Sequence, residues 1–296
     1  MTSVAVIAHA GKTLGGGLSD LRRVLAAEGF DDPLWYEVPK SKFAPKCVKR
    51  ALREGADLLF VWGGDGMVQR CIDAVGDSDA VVAILPAGTG NLLARNLDVP
   101  VDLAAAVAVG LHGARRRIDL GEINGERFAV MAGTGLDALM IRDADRELKG
   151  RLGRAAYVLT GAKHLRMKPY HARIKVDGTV WFDGDAGCIL VGNVGKVLGG
   201  VEAFDDVDPT DGRLEVGVVT AKSVTQWLRA LARTAAGSPD DSPFVRTTKA
   251  RRVRIRLDRR MPYELDGGDA KPTDRLRIDV LPLAVTMCVP DEGDAA

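Results

Sequence analysis

Cysteine is sparse in this 296-residue chain, and the four present, Cys47, Cys71, Cys188 and Cys288, lie far apart. Without a Cys-x-x-Cys pair or the cysteine density of a secreted scaffold, no disulfide framework and no thiolate metal cluster follows. The cysteines read as reduced thiols of a cytoplasmic protein. Net charge is nearly absent too. The 41 Lys and Arg against 40 Asp and Glu leave +1, which argues against a globally basic protein built to hold nucleic acid. No uncharged apolar run is long enough to span a bilayer. The opening MTSVAVIAHA lacks a basic n-region and a cleavage site, so neither an integral membrane segment nor a secretory leader is expected. Internal repeats and low-complexity segments are likewise missing. What remains is ordinary globular composition, 46% hydrophobic and 27% charged, over a length sufficient for two domains.

Glycine is plentiful, and it is placed in a pattern. LLFVWGGDGMVQRCIDAV (58–75) runs a short apolar stretch into Gly63-Gly64-Asp65-Gly66, and then Met67, Val68, Cys71, Ile72 and Val75 recur at helical spacing. This predicts a buried parallel strand, a glycine loop and a helix. Gly63, Gly64 and Gly66 would allow positive φ and bring backbone N–H groups close to a ligand at the helix's positive end. A phosphate would be repelled by Asp65 itself, which therefore suits a cation, a hydroxyl or a water; a tight turn with Asp chosen for turn geometry is the plainer reading. Two further segments share this grammar: Val4 to Ala8, a loop from His9 to Gly17 and a helix through Leu18, Leu21, Val24 and Leu25; and a strand ending at Leu85, the loop Pro86-Ala87-Gly88-Thr89-Gly90-Asn91 and a helix through Leu92, Leu93 and Leu97. Three such units predict a doubly wound parallel sheet, with all three loops at the carboxyl edge where such sheets bind ligands. Neither a Walker A loop nor a Rossmann Gly-x-Gly-x-x-Gly is present; Lys12 is free to serve as a point charge for phosphate or to remain a solvated lysine.

Beyond a helical run from Asp102 to Gly110 the grammar changes. Asn124-Gly125 and Asp177-Gly178 predict two-residue hairpins. CILVGNV, LEVGVVT, RVRIRLD, RLRIDV and AVTMCVP predict further strands, and helices are expected near 137–148, 153–166 and 223–236. The fold class is thus α/β, a doubly wound domain followed by a mostly antiparallel β domain, with the boundary near residue 120.

These residues together resemble the diacylglycerol kinase catalytic family, which includes soluble bacterial lipid kinases and sphingosine kinases. The resemblance rests on Gly63-Gly64-Asp65-Gly66, Pro86 to Asn91, Gly135-Leu136-Asp137-Ala138, Asp211-Gly212 and Asp266-Gly267, in order along nearly the whole chain. It implies ATP- and Mg2+-dependent transfer of the γ-phosphoryl group to a hydroxyl of a diacylglycerol-like or sphingoid lipid. The implied arrangement is a cleft between an NAD kinase-like domain, 1–120 completed by 279–296, and a β-rich domain, 121–278. The enzyme would be a cytoplasmic phosphotransferase that visits the membrane surface, with a homodimer compatible with it.

By the same resemblance His9, Gly11, Lys12, Gly63, Gly64, Asp65, Gly66, Met67, Gly88, Thr89 and Asn91 hold the nucleotide. Thr89 would bond a phosphate and Asn91 fix the loop; Asp65 either orients a metal and its waters or takes the acceptor proton. His-Ala-Gly-Lys stands where many members have Asn-Pro. Asp208 and Arg213 through their carbonyls, and Asp211 through its carboxylate, match a structural Mg2+ loop; by composition alone the segment is an acidic turn. Asp137 matches a lipid headgroup position or is a helix N-cap. The family commonly reads Asp-Gly-Glu near the C-terminus with the Glu as proton acceptor, and here Gly268 replaces it. Asp266 is the expected base, with Asp269 the alternative. Arg251, Arg252, Arg254 and Arg256, alternating with apolar residues, form a basic strand face suited to anionic lipid or plain solvation. Two rivals stand beside the lipid kinase: an NAD kinase-like small-molecule kinase, and an inactive lipid or nucleotide sensor, which the missing Glu motivates.

Overall fold

The computed structural model describes residues 3–135, 169–196, 203–223, 226–227 and 242–291. It divides into two compact units, Met1–Asp119 with Leu283–Ala296, and Leu120–Pro282.

In the first unit β1 (Val4–His9), α1 (Leu18–Ala27), β2 (Leu34–Val38), α2 (Ala44–Arg53), β3 (Leu58–Gly63), α3 (Asp65–Val75), β4 (Val81–Pro86), α4 (Leu92–Asn96) and α5 (Leu103–His112) follow one another. The strands pair in parallel in the order β4-β3-β1-β2. Continuous burial of Leu58 to Trp62 and of Val82 to Leu85 is what a sheet covered on both faces requires. The covering helices form two pairs, α1 with α5 and α2 with α3. Asp102 caps α5 by accepting from Ala105 N at 2.9 Å. On that helix Gly110 lets the backbone lie against the sheet, since a Cβ there would fall 2.2 Å from the Phe60 ring. Strand β2 and helix α2 were not expected from the sequence: Leu34 to Tyr36 are only partly buried, and Lys and Arg dominate α2 outside its buried Ala44, Val48 and Ala51.

The second unit holds β5 (Ala114–Ile123), β6 (Glu126–Phe128), β7 (Met131–Gly135), β8 (Tyr170–Val176), β9 (Thr179–Ala186), β10 (Cys188–Gly192), β11 (Leu214–Val219), β12 (Val245–Ala250), β13 (Arg252–Leu265) and β14 (Gly268–Val289), the outer parts of β5 and β14 belonging to the first unit. Its pairings are antiparallel, in the order β12-β11-β10-β7-β13-β14, with β8 on β13 and β9 on β8. Both dipeptide hairpins form with left-handed turn residues, Asn124 (φ 52) before Gly125 and Asp177 (φ 49) before Gly178. Ile174, Ile255 and Leu276, register partners on three neighbouring strands, sit in the core together with Phe128, Tyr170 and Val216.

One expectation needs correcting. RLRIDV and AVTMCVP are one strand, β14. It passes through Leu283 in left-handed conformation (φ 47), where Asp119 Oδ1 accepts the Leu283 N–H at 2.7 Å, and then pairs in parallel with β4 through Thr286 and Met287. The helices expected at 137–148 and 153–166 lie outside the described residues, as does most of 223–236, where only Gln226 and Trp227 are described, as helix.

Candidate functional site

Strand order reverses direction between β1 and β3, the switch point at whose carboxyl side an open α/β sheet forms a crevice. Three loops of the first unit meet there. His9 ends β1, and its Nδ1 accepts from Gly11 N at 3.1 Å while its carbonyl accepts from Lys12 N at 3.0 Å, which curls the first loop back on the strand. The fully buried Trp62, whose indole needs an acceptor, donates to Lys12 O at 3.1 Å and pins that loop to β3. The Pro86–Asn91 loop is closed from inside: Asn91 Oδ1 accepts from Gly88 N (2.9 Å), and Asn91 Nδ2 donates to Gly88 O (2.9 Å) and Pro86 O (3.2 Å). Thr89 is left exposed at its tip.

The glycines of the second loop do not serve left-handed φ. Gly63, Gly64 and Gly66 all lie outside that region; Gly63 and Gly64 serve close approach, whereas a Cβ on Gly66 would meet nothing within 4 Å. A Cβ on Gly88 would stand 2.4 Å from Gly64 Cα and 2.7 Å from Asn91 Oδ1, and one on Gly63 would stand 2.5 Å from Met67 Cβ. The loops after β3 and β4 therefore touch backbone to backbone, which only glycine permits.

Asp65 is likewise not a free loop carboxylate. It is the first residue of α3, partly buried, and its Oδ1 accepts from Leu92 N at 2.5 Å, so it caps α4 from a neighbouring element. Burial pushes its carboxyl up, against the lowering effect of the Leu92, Asn91 and Leu93 amides. A Cβ on Gly90 would meet Asp65 Oδ2 at 2.8 Å. The Leu92, Gly90 and Trp62 contributions are not legible in the sequence; the one available signal is an indole near the end of a fully buried strand.

In the second unit, Asp266 occupies the first turn position of the β13–β14 hairpin (φ 45) and is 2% exposed. Its carboxylate accepts three backbone N–H groups, Ala129 at 2.7 Å, Val130 at 2.8 Å and Met131 at 3.0 Å. Asn193 holds the same segment by donating from N to Val130 O (2.8 Å) and from Nδ2 to Ala129 O (3.1 Å). Asp266, the expected base, is therefore a buried carboxylate whose oxygens are taken up by backbone amides, an arrangement that holds this segment of the fold. Glu264 is fully buried, its Oε2 accepting from Gly267 N at 2.9 Å. Asp269 is exposed and sits on β14 as the register partner of Glu264, held by the strand rather than swinging in a glycine turn.

The Asp208–Arg213 loop was matched to a metal, and its geometry does not fit one. Asp208 Oδ1 accepts from Thr210 N and Oγ1, and its carbonyl accepts from Asp211 N at 3.3 Å. Asp211 Oδ1 accepts from Arg213 N at 2.8 Å, and Oδ2 from Lys249 Nζ at 3.3 Å. That ammonium also donates to Asp206 O at 3.1 Å and pairs with the nearly buried Glu215 at 3.1 Å. The Lys249 ammonium thus already neutralises the Asp211 carboxylate expected as a metal ligand. Burial works against the Lys249 charge, but Glu215 and Asp211 outweigh it and hold its pKa above the usual lysine value. Asp137 lies outside the described residues.

Residues 4–123 match the diacylglycerol kinase catalytic domain, and 130–289 the YegS C-terminal NAD kinase beta sandwich-like domain. A diacylglycerol kinase of Bacillus subtilis is 30% identical over 73% of this chain and 72% of that protein. A YegS-like lipid kinase of Pseudomonas aeruginosa is 32% identical over 83% of this chain and 81% of its own length. Among solved structures, a diacylglycerol kinase of Bacillus anthracis superposes with TM-score 0.79 at 25% identity, covering 97% of this chain and 96% of the other. The fold extends to an NAD kinase of Archaeoglobus fulgidus solved with ATP, at TM-score 0.55 and 12% identity over 96% and 93% of the two chains. The chain belongs to the diacylglycerol kinase family.

Proposed function

We propose that the protein transfers the γ-phosphoryl group of ATP, carried as its Mg2+ complex, to the hydroxyl of a diacylglycerol-like or sphingoid lipid. The observation that carries the reading is the backbone-to-backbone contact of Gly64 and Gly88 at the switch point, locked by Asp65 on Leu92 N. Phosphoryl transfer needs positioning and charge neutralisation more than covalent catalysis, and two glycine loops held against each other supply fixed N–H donors. In this reading Gly63 to Met67, Gly88 and Thr89 contact the phosphates, and His9, Gly11 and Lys12 approach them from the first loop. Asp65 acts as a positioning residue. Asn91 keeps the second loop in shape.

We assign proton acceptance to Asp269, the exposed carboxylate of the Glu264–Asp269 hairpin, in which Glu264 and Asp266 are buried. No step is routed through a metal on the Asp208–Arg213 loop. The nucleotide's own Mg2+ is part of the substrate.

The test supplies γ-labelled ATP with diacylglycerol, sphingosine or NAD+ as acceptor. Label in an organic-solvent extract supports the lipid kinase; label on NAD+ alone establishes the small-molecule kinase; no transfer with intact ATP binding establishes a sensor.

A further inference from the structure

The outer face of the second unit's sheet carries two rows of like charge. Antiparallel register places Lys175, Arg254 and Arg277 side by side on β8, β13 and β14, and Arg173, Arg256 and Arg275 beside them in the next outward row. The alternate residues, Ile174, Ile255 and Leu276, are buried, so all six basic side chains share the opposite face. Like charges directly opposite one another on neighbouring strands destabilise a sheet. A chain of net charge +1 has concentrated them here.

The acids around the face are few. Asp183 meets Arg173 at 3.6 Å, Asp279 meets Arg254 at 2.9 Å and Arg252 at 3.3 Å, and Asp274 lies 4.0 Å from Arg275. Among the described residues no carboxylate forms an ion pair with Lys175, Arg256 or Arg277, all three exposed. Val180, the register partner of Lys175, adds an exposed apolar side chain at the edge.

We propose that this sheet face docks on an anionic lipid surface. Rows of basic heads on a pleated sheet, with one apolar side chain beside them, match a plane of phosphate and carboxylate headgroups. The net charge of only +1 over the whole chain argues against a nucleic-acid partner. Docking requires neither turnover nor nucleotide, so its outcome is independent of the phosphotransfer reading.

The experiment measures sedimentation of the full chain with phosphatidylcholine vesicles, with and without about 30% phosphatidylserine, at about 0.15 M salt. The parent binds the anionic vesicles and releases them as salt rises. At about fivefold per basic side chain, Arg256→Gln with Arg277→Gln weakens binding about 25-fold at an unchanged melting temperature, whereas Arg256→Lys with Arg277→Lys retains it. Equal binding of the parent to neutral vesicles, no binding at all, parent-like binding by the Gln pair, or tighter binding to a single-stranded oligonucleotide than to the vesicles overturns the proposal. Loss in the Lys pair equal to that in the Gln pair also overturns it, because a membrane field reads charge and not the guanidinium fork.

Discussion

Asp65 and Asp266 both stand before a glycine in the motifs that mark this family, and both take hydrogen bonds from backbone amides, yet the structure uses them differently. Asp65 is partly buried, fastens one loop through Leu92 N, and has a carboxyl that burial pushes up. Asp266 is 2% exposed and holds three amides of one segment. The number of donors and the access left over decide what each carboxylate does. A motif acid with its lone pairs filled builds the fold. One that is exposed on a strand beside it, as Asp269 is, keeps its carboxylate in solvent.

Asp266→Ala breaks the comparison most severely. Orphaning three buried amides costs about 3–5 kcal/mol, a large share of a domain's stability, and denaturant titration reads the loss. Asp266→Asn, which keeps one acceptor oxygen, costs less and leaves turnover per folded molecule near the parent's; a folded but dead Asn variant would restore Asp266 as base. Next in size is Asp269→Asn, expected to lower the initial rate of lipid phosphorylation by about 10²–10⁴ without moving the melting temperature. Parent-like turnover removes Asp269 from the chemistry.

Lys249→Met removes the ion pair that the nearly buried Glu215 makes with the Lys249 ammonium. Since the ammonium is about one-third exposed (side chain 35% accessible), the expected cost is only about 1–3 kcal/mol. In the parent, Mg2+ and chelator both leave the melting temperature unchanged, because the loop's cation is covalently attached. A Mg2+-dependent rise in the parent would return the loop to the metal.

The smallest effect concerns Asp65→Asn. A carboxyl raised in the folded state is stabilising while protonated, below the ordinary carboxylate range, and that contribution is lost as pH rises through the folded-state value. Asn, which cannot ionise and still offers Oδ1 to Leu92 N, should match or exceed the parent's melting temperature at pH 7, with the difference closing as pH falls below about 4. A variant less stable at pH 7 and more so at pH 4 would reverse the sign and mark the ionised form as the one the fold favours.

The sequence made the backbone pattern legible because burial and turn chemistry are local. Leu58 to Trp62 read as a covered strand, and Asn124-Gly125 and Asp177-Gly178 as hairpins, each from a few neighbours. Side-chain roles were hidden where partners are distant in sequence. Asp65 finds Leu92, Asp266 finds Ala129 to Met131, and Asp211 finds Lys249, and no spacing rule links those positions. The glycines of the Gly63–Gly66 loop read as positive-φ residues, and the close approach that Gly64 serves is visible only with Gly88 placed against it.

That contact also gives the most direct test of the central claim, that two glycine loops held together form the cradle for a transferred phosphate. Gly88 has an ordinary φ, so Gly88→Ala adds only the methyl that would stand 2.4 Å from Gly64 Cα. The measurement is label from γ-labelled ATP in an organic-solvent extract, per folded molecule, for parent and variant. Strong labelling by the parent and loss of at least about 10²-fold in the variant, with its circular dichroism intact, is the predicted result. Parent-like labelling by Gly88→Ala would contradict it.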